Sequence, residues 1–417
     1  MLEQMVRDIA KKAREASFYL ANVSTERKNE ALNIAAQLID EKRREINEAN
    51  KEDVKGAEQE GASKAFIDRL TLTKKRINGM IKSLNEVSVL EDPVGSIIRG
   101  WKRPNGLQIL QMRVPIGVIG IIYESRPNVT VEASSLCLKA GNATILRGGK
   151  EAINSNRILY SILNEAIEKA GLPEGCIGFI DSVDRKAIKY LIRMSGLVNL
   201  IIPRGGEGLI NFVAENATVP VIKHYKGLCH TYVDEFASLS MAQEIVYNAK
   251  VQRPGVCNAI ETLLVHKNIA GKFLPKMVRK LQEVGVEVRG CERTKKIVSQ
   301  IKEAEEEDWD TEYLDLILSI KVVDDMDEAI EHINKHGSQH SEAIITENYE
   351  RAMEFLYRVD AATVYVNSST RFTDGGEFGM GAEIGISTDK IHARGPMGLP
   401  ELTIYKYVIL GSGQIRK

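Results

Sequence analysis

One cysteine stands where chemistry is feasible. In "VQRPGVCNAI", residues 251–260, Cys257 follows a Gly-Val step, with Arg253 and Pro254 upstream and the apolar run "IETLLVH" downstream. A reactive thiolate needs a positive or helix-terminal environment, and Arg253 is the one local cation in the sequence. Free cysteine is also among the most buried residue types. Cys257 therefore reads either as a nucleophile on a turn or as a small residue filling a core.

Two other stretches set glycine pairs behind apolar runs. "IIPRGGEGLI" reads as strand, glycine pair and helix, so Gly205 and Gly206 offer backbone N–H groups at a helix start to an anion. The pattern is not G-x-G-x-x-G, and a tight turn that needs glycine for steric reasons accounts for it as well. "ATILRGGKEA" repeats the arrangement, with Arg147 and Lys150 flanking Gly148 and Gly149. Two such turns in one sheet suggest a polyphosphate-bearing ligand across the carboxyl ends of the strands.

"IIYESRPNVT" ends a strand and places Asn128 where a helix N-cap is expected. An amide N–H₂ there is equally suited to donate to a developing oxyanion. His332, His336 and His340 have a metal-ligand spacing on an ideal helix, but Gly337 interrupts it and there is no H-E-x-x-H. The stretch reads as a helix end with exposed histidines, and no metal is expected.

These residues need elements to hold them. Residues 1 to 90 carry helical periodicity, with Leu2, Met5, Val6, Ile9 and Ala10 on one face. Residues 97–115 read as two extended runs around a "PNG" turn. From Pro115 onward, apolar runs such as "GVIGIIYE", "ATILR", "CIGFI" and "VNLIIP" alternate with helical stretches, and "VPVIKH" follows as a further extended run. A second alternation starts near residue 229 and includes "AIETLLVH", "LILSIKVV", "EAIITE" and "ATVYVN". Such alternation implies parallel sheets with crossover helices. Cys257 lies between a helix and a strand of the second block, in the kind of connection where function concentrates. The acidic "EAEEEDWD" at 303–310 reads as a solvated surface segment.

Composition excludes several classes. The chain has 417 residues, enough for two or three domains, with 43% apolar and 27% charged residues and a formal net charge of −1. Without a basic field, nucleic acid is not an expected partner. The cysteines at 137, 176, 229, 257 and 291 are scattered, with no C-x-x-C, which favours a reducing compartment over a disulfide frame. No membrane-length apolar run is present. Glu3 and Asp8 within the amphipathic N-terminus argue against a transit peptide, so a cytoplasmic location is expected.

In order, "PIGVIGIIYESRPN", "KAGNATILRGGKEA", "IIPRGGEG", "PGVCNAI" and "GSQHSEAIITEN" resemble the aldehyde dehydrogenase superfamily. More narrowly, "YESRPNVTVEASSLCLKAGNATILRGGKEA", "STRFTDGGEFGMGAEIGIST" and "HARGPMGLPELTIYKY" are similar to the branch that reduces L-glutamyl 5-phosphate in proline biosynthesis. The likeness covers nearly the whole chain. It implies an α/β fold with two parallel-sheet domains and an oligomerisation β-arm. Residues 1–98 and 114–228 would bind NADPH, 229–398 would carry the catalytic cysteine, and 99–113 with 399–417 would form the arm of a homodimer or larger homo-oligomer.

The resemblance also implies roles. Cys257 inherits the nucleophile, and Asn128, with the Cys257 backbone N–H, the oxyanion donors. Arg147, Gly148, Gly149 and Lys150 lie where relatives hold the adenosine ribose with a Lys and a Glu. Lys150 occupies the Glu position, and a basic group suits a 2′-phosphate, so NADPH is expected over NADH. Gly205 and Gly206 fall near the pyrophosphate, and Glu312 resembles the glutamate that holds the nicotinamide ribose. Arg126, Arg371 and Arg394 are candidate clamps for the substrate carboxylate and phosphate, since guanidinium matches both.

One departure bears on the chemistry. Aldehyde-oxidising relatives carry a Glu-Leu-Gly-Gly motif whose Glu activates water, and here the matching place reads "KHYKGLC". A thioester on Cys257 should then survive to meet hydride or phosphate, as reduction of an acyl phosphate to L-glutamate 5-semialdehyde requires. Transient contact with glutamate 5-kinase, which makes that acyl phosphate, is a further expectation of the resemblance. Two other readings stay open. A cysteine hydrolase or amidase would share the nucleophile and need no dinucleotide. A non-enzymatic scaffold would tolerate loss of Cys257. Neither accounts for the two glycine-containing strand ends.

Overall fold

The computed structural model describes residues 1–223 and 226–416, which fall into two compact units. Among the described residues, the first takes in 1–223, 379–385 and 397–416, and the second 226–378 and 386–396. The sequence reading set the change of domain between 228 and 229. The first unit ends at Lys223, and Gly227 already packs on a turn of the second sheet. Residues 379–385 return to the first unit, where Gly381 lies against Leu90 and Gly385 against Arg204.

In the first unit β1 (Ile97–Lys102) and β2 (Gln108–Pro115) form an antiparallel pair. They are followed by β3 (Val118–Tyr123), β4 (Ala143–Arg147), β5 (Ile177–Phe179) and β6 (Leu200–Arg204). The last four make one parallel sheet in the order β5-β4-β3-β6. The chain therefore runs outward from β3 to β5 and then returns to the other side of β3. That reversal makes a crevice beyond the carboxyl ends of neighbouring strands, where ligands of open α/β sheets bind. β3 and β4 are buried along their whole lengths, which is why they read as apolar runs without alternation.

The N-terminal helices brace this sheet. Val6, Ala10, Ala13 and Leu20 bury one face of helix Leu2–Leu20. From helix Arg43–Gln59, the Asp53 carboxylate accepts hydrogen bonds from the Ser155 N–H at 2.8 Å, the Asn154 N–H at 3.2 Å and the Ser155 hydroxyl at 2.6 Å. It thereby caps helix Ile153–Lys169, which follows the "RGGKEA" turn.

The second unit contains β7 (Cys229–Val233), β8 (Ile260–His266), β9 (Glu287–Gly290), β10 (Lys302–Glu303), β11 (Ile317–Val323), β12 (Ser341–Ile345) and β13 (Thr363–Val366). They form one parallel sheet in the order β10-β9-β11-β8-β7-β12-β13. Two short strands, β14 (Ile386–Ser387) and β15 (Gly395–Pro396), pair antiparallel. Finally β16 (Thr403–Leu410) pairs with β2 in the first unit, completing a three-stranded sheet. The "VPVIKH" stretch makes only an isolated bridge at Val221, and its His224 lies outside the described residues. Among the described residues, no helix is long and apolar enough to cross a membrane.

Two expectations are corrected here. The acidic segment is not wholly solvated. Asp308 and Trp309 are buried, because Asp308 answers Arg289, the Tyr313 hydroxyl and the Glu305 N–H. Nor are the histidines exposed. His332, His336 and His340 are buried, since the first two share a helix face with Ala329, Ile330 and Ile333, which pack inward. Among the described residues, no group of His, Cys, Asp or Glu is arranged to hold a metal ion.

Burial first, then the neighbouring His230, pushes His332 down to about 2. An unfolded histidine takes up its proton near pH 6.5, so below that value unfolding binds a proton that the native state refuses. This contribution leaves stability intact above about pH 6.5 and erodes it by up to about 1.4 kcal/mol per pH unit on acidification. The His332→Leu variant should lose less stability than the parent between about pH 7.5 and about pH 5 in urea melts. Equal losses would mean that His332 is protonated in the native state.

Candidate active site

Helix Leu239–Val251 ends six residues before the cysteine, and β8 begins three residues after it. Between them Cys257 is half-buried on a turn closed by the Ala259 N–H on the Val256 carbonyl at 3.1 Å. The connection that precedes β7 is pressed against this turn. A Cβ on Gly227 would sit 2.1 Å from the Cys257 carbonyl oxygen and 2.4 Å from its Cα, so no side chain fits there. Two residues on, the Cys229 thiol donates to the same carbonyl at 3.1 Å. Burial pushes the Cys229 thiol far up, and it stays a protonated donor. Burial likewise pushes Cys137 and Cys176 up to about 12. Those three thiols are structural, and Cys291 is engaged with Thr294.

On the other side, the Asn258 amide donates to the Thr373 carbonyl at 2.9 Å and the Arg371 carbonyl at 3.4 Å. The Thr370 hydroxyl returns a bond to the Asn258 carbonyl at 2.6 Å. The "STRFTDGG" segment is thus strapped to the residue after the cysteine. Arg371 reaches the Gln252 side chain at 2.9 Å. Burial, then Arg253, holds its guanidinium below its ordinary value, while the Cys257 charge pulls it back up. A second arginine thus stands within electrostatic reach of the cysteine, beside the one local cation visible in the sequence. Arg394 is committed elsewhere, to Asp360 at 2.9 Å and Gln339 at 3.4 Å.

Glu312 also reaches this turn. Its carboxylate accepts the Gly227 N–H at 2.9 Å. The "KHYKGLC" stretch thus supplies a glycine wedged between Glu312 and the cysteine, while His224 and Tyr225 lie outside the described residues. Gly227, Cys257, Glu312 and His340 all lie just ahead of strands, β7, β8, β11 and β12 respectively. In a parallel sheet those amino ends share one edge. Sequence reasoning picked out Cys257 and Glu312 but missed Gly227, Cys229 and Asn258. Their partners are 28 to 115 residues away, and only a pairing order of strands could have revealed them.

The first unit collects the other candidates at the carboxyl ends of its strands. After β3, Ser125 adopts a left-handed φ of 40°. Glu151, next to Lys150, holds it there by accepting from its N–H at 2.7 Å. Arg126 is exposed. Asn128 is the first residue of its helix and not its cap: Pro127 already has helical angles. The Asn128 amide donates to Glu132 at 2.9 Å, leaving the first turn to backbone carbonyls.

After β4, Arg147 is buried and donates to the Val183 carbonyl at 3.4 Å, and among the described residues its Nε has no hydrogen-bond partner. Burial holds it below its usual value. The space a Gly148 side chain would need is filled by Asn156 and Tyr123, and Gly149 packs beside the Glu151 carboxylate. Lys150 is exposed and paired with Glu60 at 2.9 Å. After β6, the Glu124 carboxylate accepts the Gly206 N–H at 2.8 Å. The helix start read as open to an anion is thus met by a carboxylate of the chain, which satisfies the same positive end. A Gly205 side chain would clash with Glu124 at 2.3 Å.

Residues 2–316 and 305–382 match the model of the aldehyde dehydrogenase family. A gamma-glutamyl phosphate reductase of Caldanaerobacter subterraneus is 62% identical over 408 residues, covering 98% of this chain and 99% of its own. One from Thermodesulfovibrio yellowstonii is 56% identical over 416 residues, covering all of both chains. The crystal structure of the gamma-glutamyl phosphate reductase of Thermotoga maritima superposes with a TM-score of 0.97 at 54% identity, over 99% of this chain and 100% of that one. Matches of that identity and extent carry the relationship across both units. The chain belongs to the aldehyde dehydrogenase family, in the branch of the gamma-glutamyl phosphate reductases.

Proposed function

We propose that this chain is an oxidoreductase of proline biosynthesis that reduces L-glutamyl 5-phosphate to L-glutamate 5-semialdehyde and phosphate, with NADPH as reductant. The observation that carries the reading is the half-buried Cys257 turn, gripped by Gly227 and Asn258 and bordered by Arg371, in a chain 62% identical to a relative of that name. The Cys257 thiolate attacks the acyl carbon, the tetrahedral oxyanion collapses, and phosphate leaves a thioester on the sulfur. The Asn128 amide and the Cys257 N–H donate to that oxyanion. Arg371 and Arg126 neutralise the carboxylate and phosphate of the substrate. Arg394, already held by Asp360, is the weakest of the three clamps.

The residues at the β4 and β6 ends suit a nicotinamide dinucleotide in part. The buried, unpartnered Nε of Arg147 is a donor awaiting an acceptor, and Lys150 can exchange an exposed carboxylate for a phosphate. Gly205 and Gly206 face the pyrophosphate only where Glu124 gives way. Glu312 takes the nicotinamide ribose. When bound, NADPH supplies the hydride that turns the acyl group into an aldehyde. The enzyme works in the cytoplasm. It assembles as a homodimer or larger through the β1-β2-β16 sheet, whose Ile97, Ile404, Tyr407 and Ile409 are exposed.

The direct test runs the reaction backward: semialdehyde, phosphate and NADP⁺ should yield NADPH, and no absorbance change would refute the assignment. Cys257→Ala should abolish turnover and leave NADPH binding nearly intact, whereas activity within about tenfold of the parent would remove the nucleophile. Because Asn128 caps nothing, Asn128→Ala should lower kcat about 10²–10³-fold with little change in Tm. A fall in Tm at normal kcat would leave it a structural role only.

Cofactor choice rests on Lys150. Its pair with Glu60 is exposed on both sides, so a 2′-phosphate gains about one order of magnitude in affinity and not several. Lys150→Glu sets two carboxylates together and should cut the NADPH preference by weakening NADPH more than NADH. Fluorescence titration of both nucleotides measures it, and an unchanged ratio would place Lys150 away from the ribose.

A further inference from the structure

Behind the Cys257 turn lies an ion pair that the reaction does not use. Lys250, at the end of helix Leu239–Val251, and Glu261, in β8, are 0% and 1% exposed. Their Nζ and Oε2 are 2.6 Å apart. The pair bridges the two elements between which the cysteine is strung. The other oxygen of Glu261 accepts the Leu314 N–H at 3.2 Å. Leu314 has a φ of 54°, in the left-handed region that a leucine ordinarily avoids. Its side chain is 44% exposed, so packing does not explain that conformation.

The neighbouring residue is pinned as well. The Tyr313 ring lies between Lys250 and Arg289, 5.9 Å and 5.2 Å from its centroid. Its hydroxyl bonds Asp308 and Ser319, both at 2.8 Å. Glu312 immediately precedes Tyr313 and holds the Gly227 N–H. A continuous chain of contacts therefore runs from the buried pair through Leu314 to Glu312 and Gly227.

We propose that the buried Lys250–Glu261 pair is the positioning element for Glu312, acting through the Leu314 N–H that Glu261 accepts. The inference rests on the reading that Glu312 takes the nicotinamide ribose. A buried ion pair is a poor stabiliser: apolar replacements of similar volume are often neutral or better. The surrounding core of Val246, Ala249, Ile260 and Leu263 is already apolar. What an apolar pair lacks is an acceptor for Leu314. The Glu261 side chain supplies that acceptor, and the Lys250 ammonium neutralises the charge that the carboxylate would otherwise bury alone.

Two matched double variants separate positioning from stability. Lys250→Met with Glu261→Gln removes both charges and keeps a side-chain oxygen for the Leu314 N–H. Lys250→Met with Glu261→Leu removes that oxygen too. Thermal melts and fluorescence titration of NADPH are read on both full-length chains, with Glu312→Gln as reference. Expected are similar melting points, near-parental NADPH affinity for the Gln form, and about tenfold weaker binding for the Leu form, matching Glu312→Gln. Equal NADPH affinities in the two doubles would overturn the proposal, whether both are strong or both are weak. So would a Leu form whose affinity falls only in step with its melting point. If Glu312→Gln itself binds NADPH normally, the ribose reading of Glu312 fails first and takes the positioning role with it.

Discussion

The absence of a side chain at Gly227 is the constraint on which the second unit's site depends. β7 and β8 are parallel neighbours, and the connections entering them meet backbone to backbone, with no room for a Cβ between Gly227 and Cys257. That contact fixes the height of the cysteine at the amino edge of the sheet. It also leaves the Gly227 N–H pointing to the other side, where Glu312 receives it. Cys229 then follows in β7 with its thiol under the Cys257 carbonyl. A single close approach thus sets the position of the turn, the orientation of its carbonyl and the placement of a carboxylate from β11's approach.

Much of the architecture was legible because it is local. Apolar runs too continuous for a half-exposed strand marked β3, β4 and β8, and their alternation with helical stretches gave parallel sheets. Cys257 was legible as a residue on a turn, since Gly-Val and Pro break the preceding helix. What stayed hidden was whatever a distant partner decides. Gly206 looked open to an anion until Glu124, 82 residues earlier, was seen to take its N–H. The histidines looked solvated because helical spacing does not say which face packs. The acidic stretch hid Asp308, whose charge is answered by Arg289 nineteen residues back. The last two readings put water where the fold puts a partner.

Glycine does the same work at both sites. In "RGGK" and "RGGE" the space a Cβ would take is filled by Asn156 at Gly148 and by Glu124 at Gly205. The glycines let the protein's own groups approach its backbone, just as Gly227 lets the cysteine turn approach. A glycine pair after a strand is therefore evidence of close approach, and the sequence alone does not say by what.

At the β4 end the identity of the approaching group can be argued from cost. Arg147 keeps a buried Nε with no acceptor, and an unsatisfied buried donor costs about 1–3 kcal/mol, more when charged. Any ligand oxygen that reaches it recovers part of that. Lys150 is different, because its exposed pair with Glu60 contributes only about 0–1 kcal/mol and yields readily to another anion. On the proposed reading, Arg147 would favour a bound ligand of either kind, while Lys150 would distinguish a phosphate from a hydroxyl. That reading divides affinity and discrimination between two side chains three residues apart, one buried and one exposed. Selectivity at the exposed position is then the property more easily changed without disturbing the sheet.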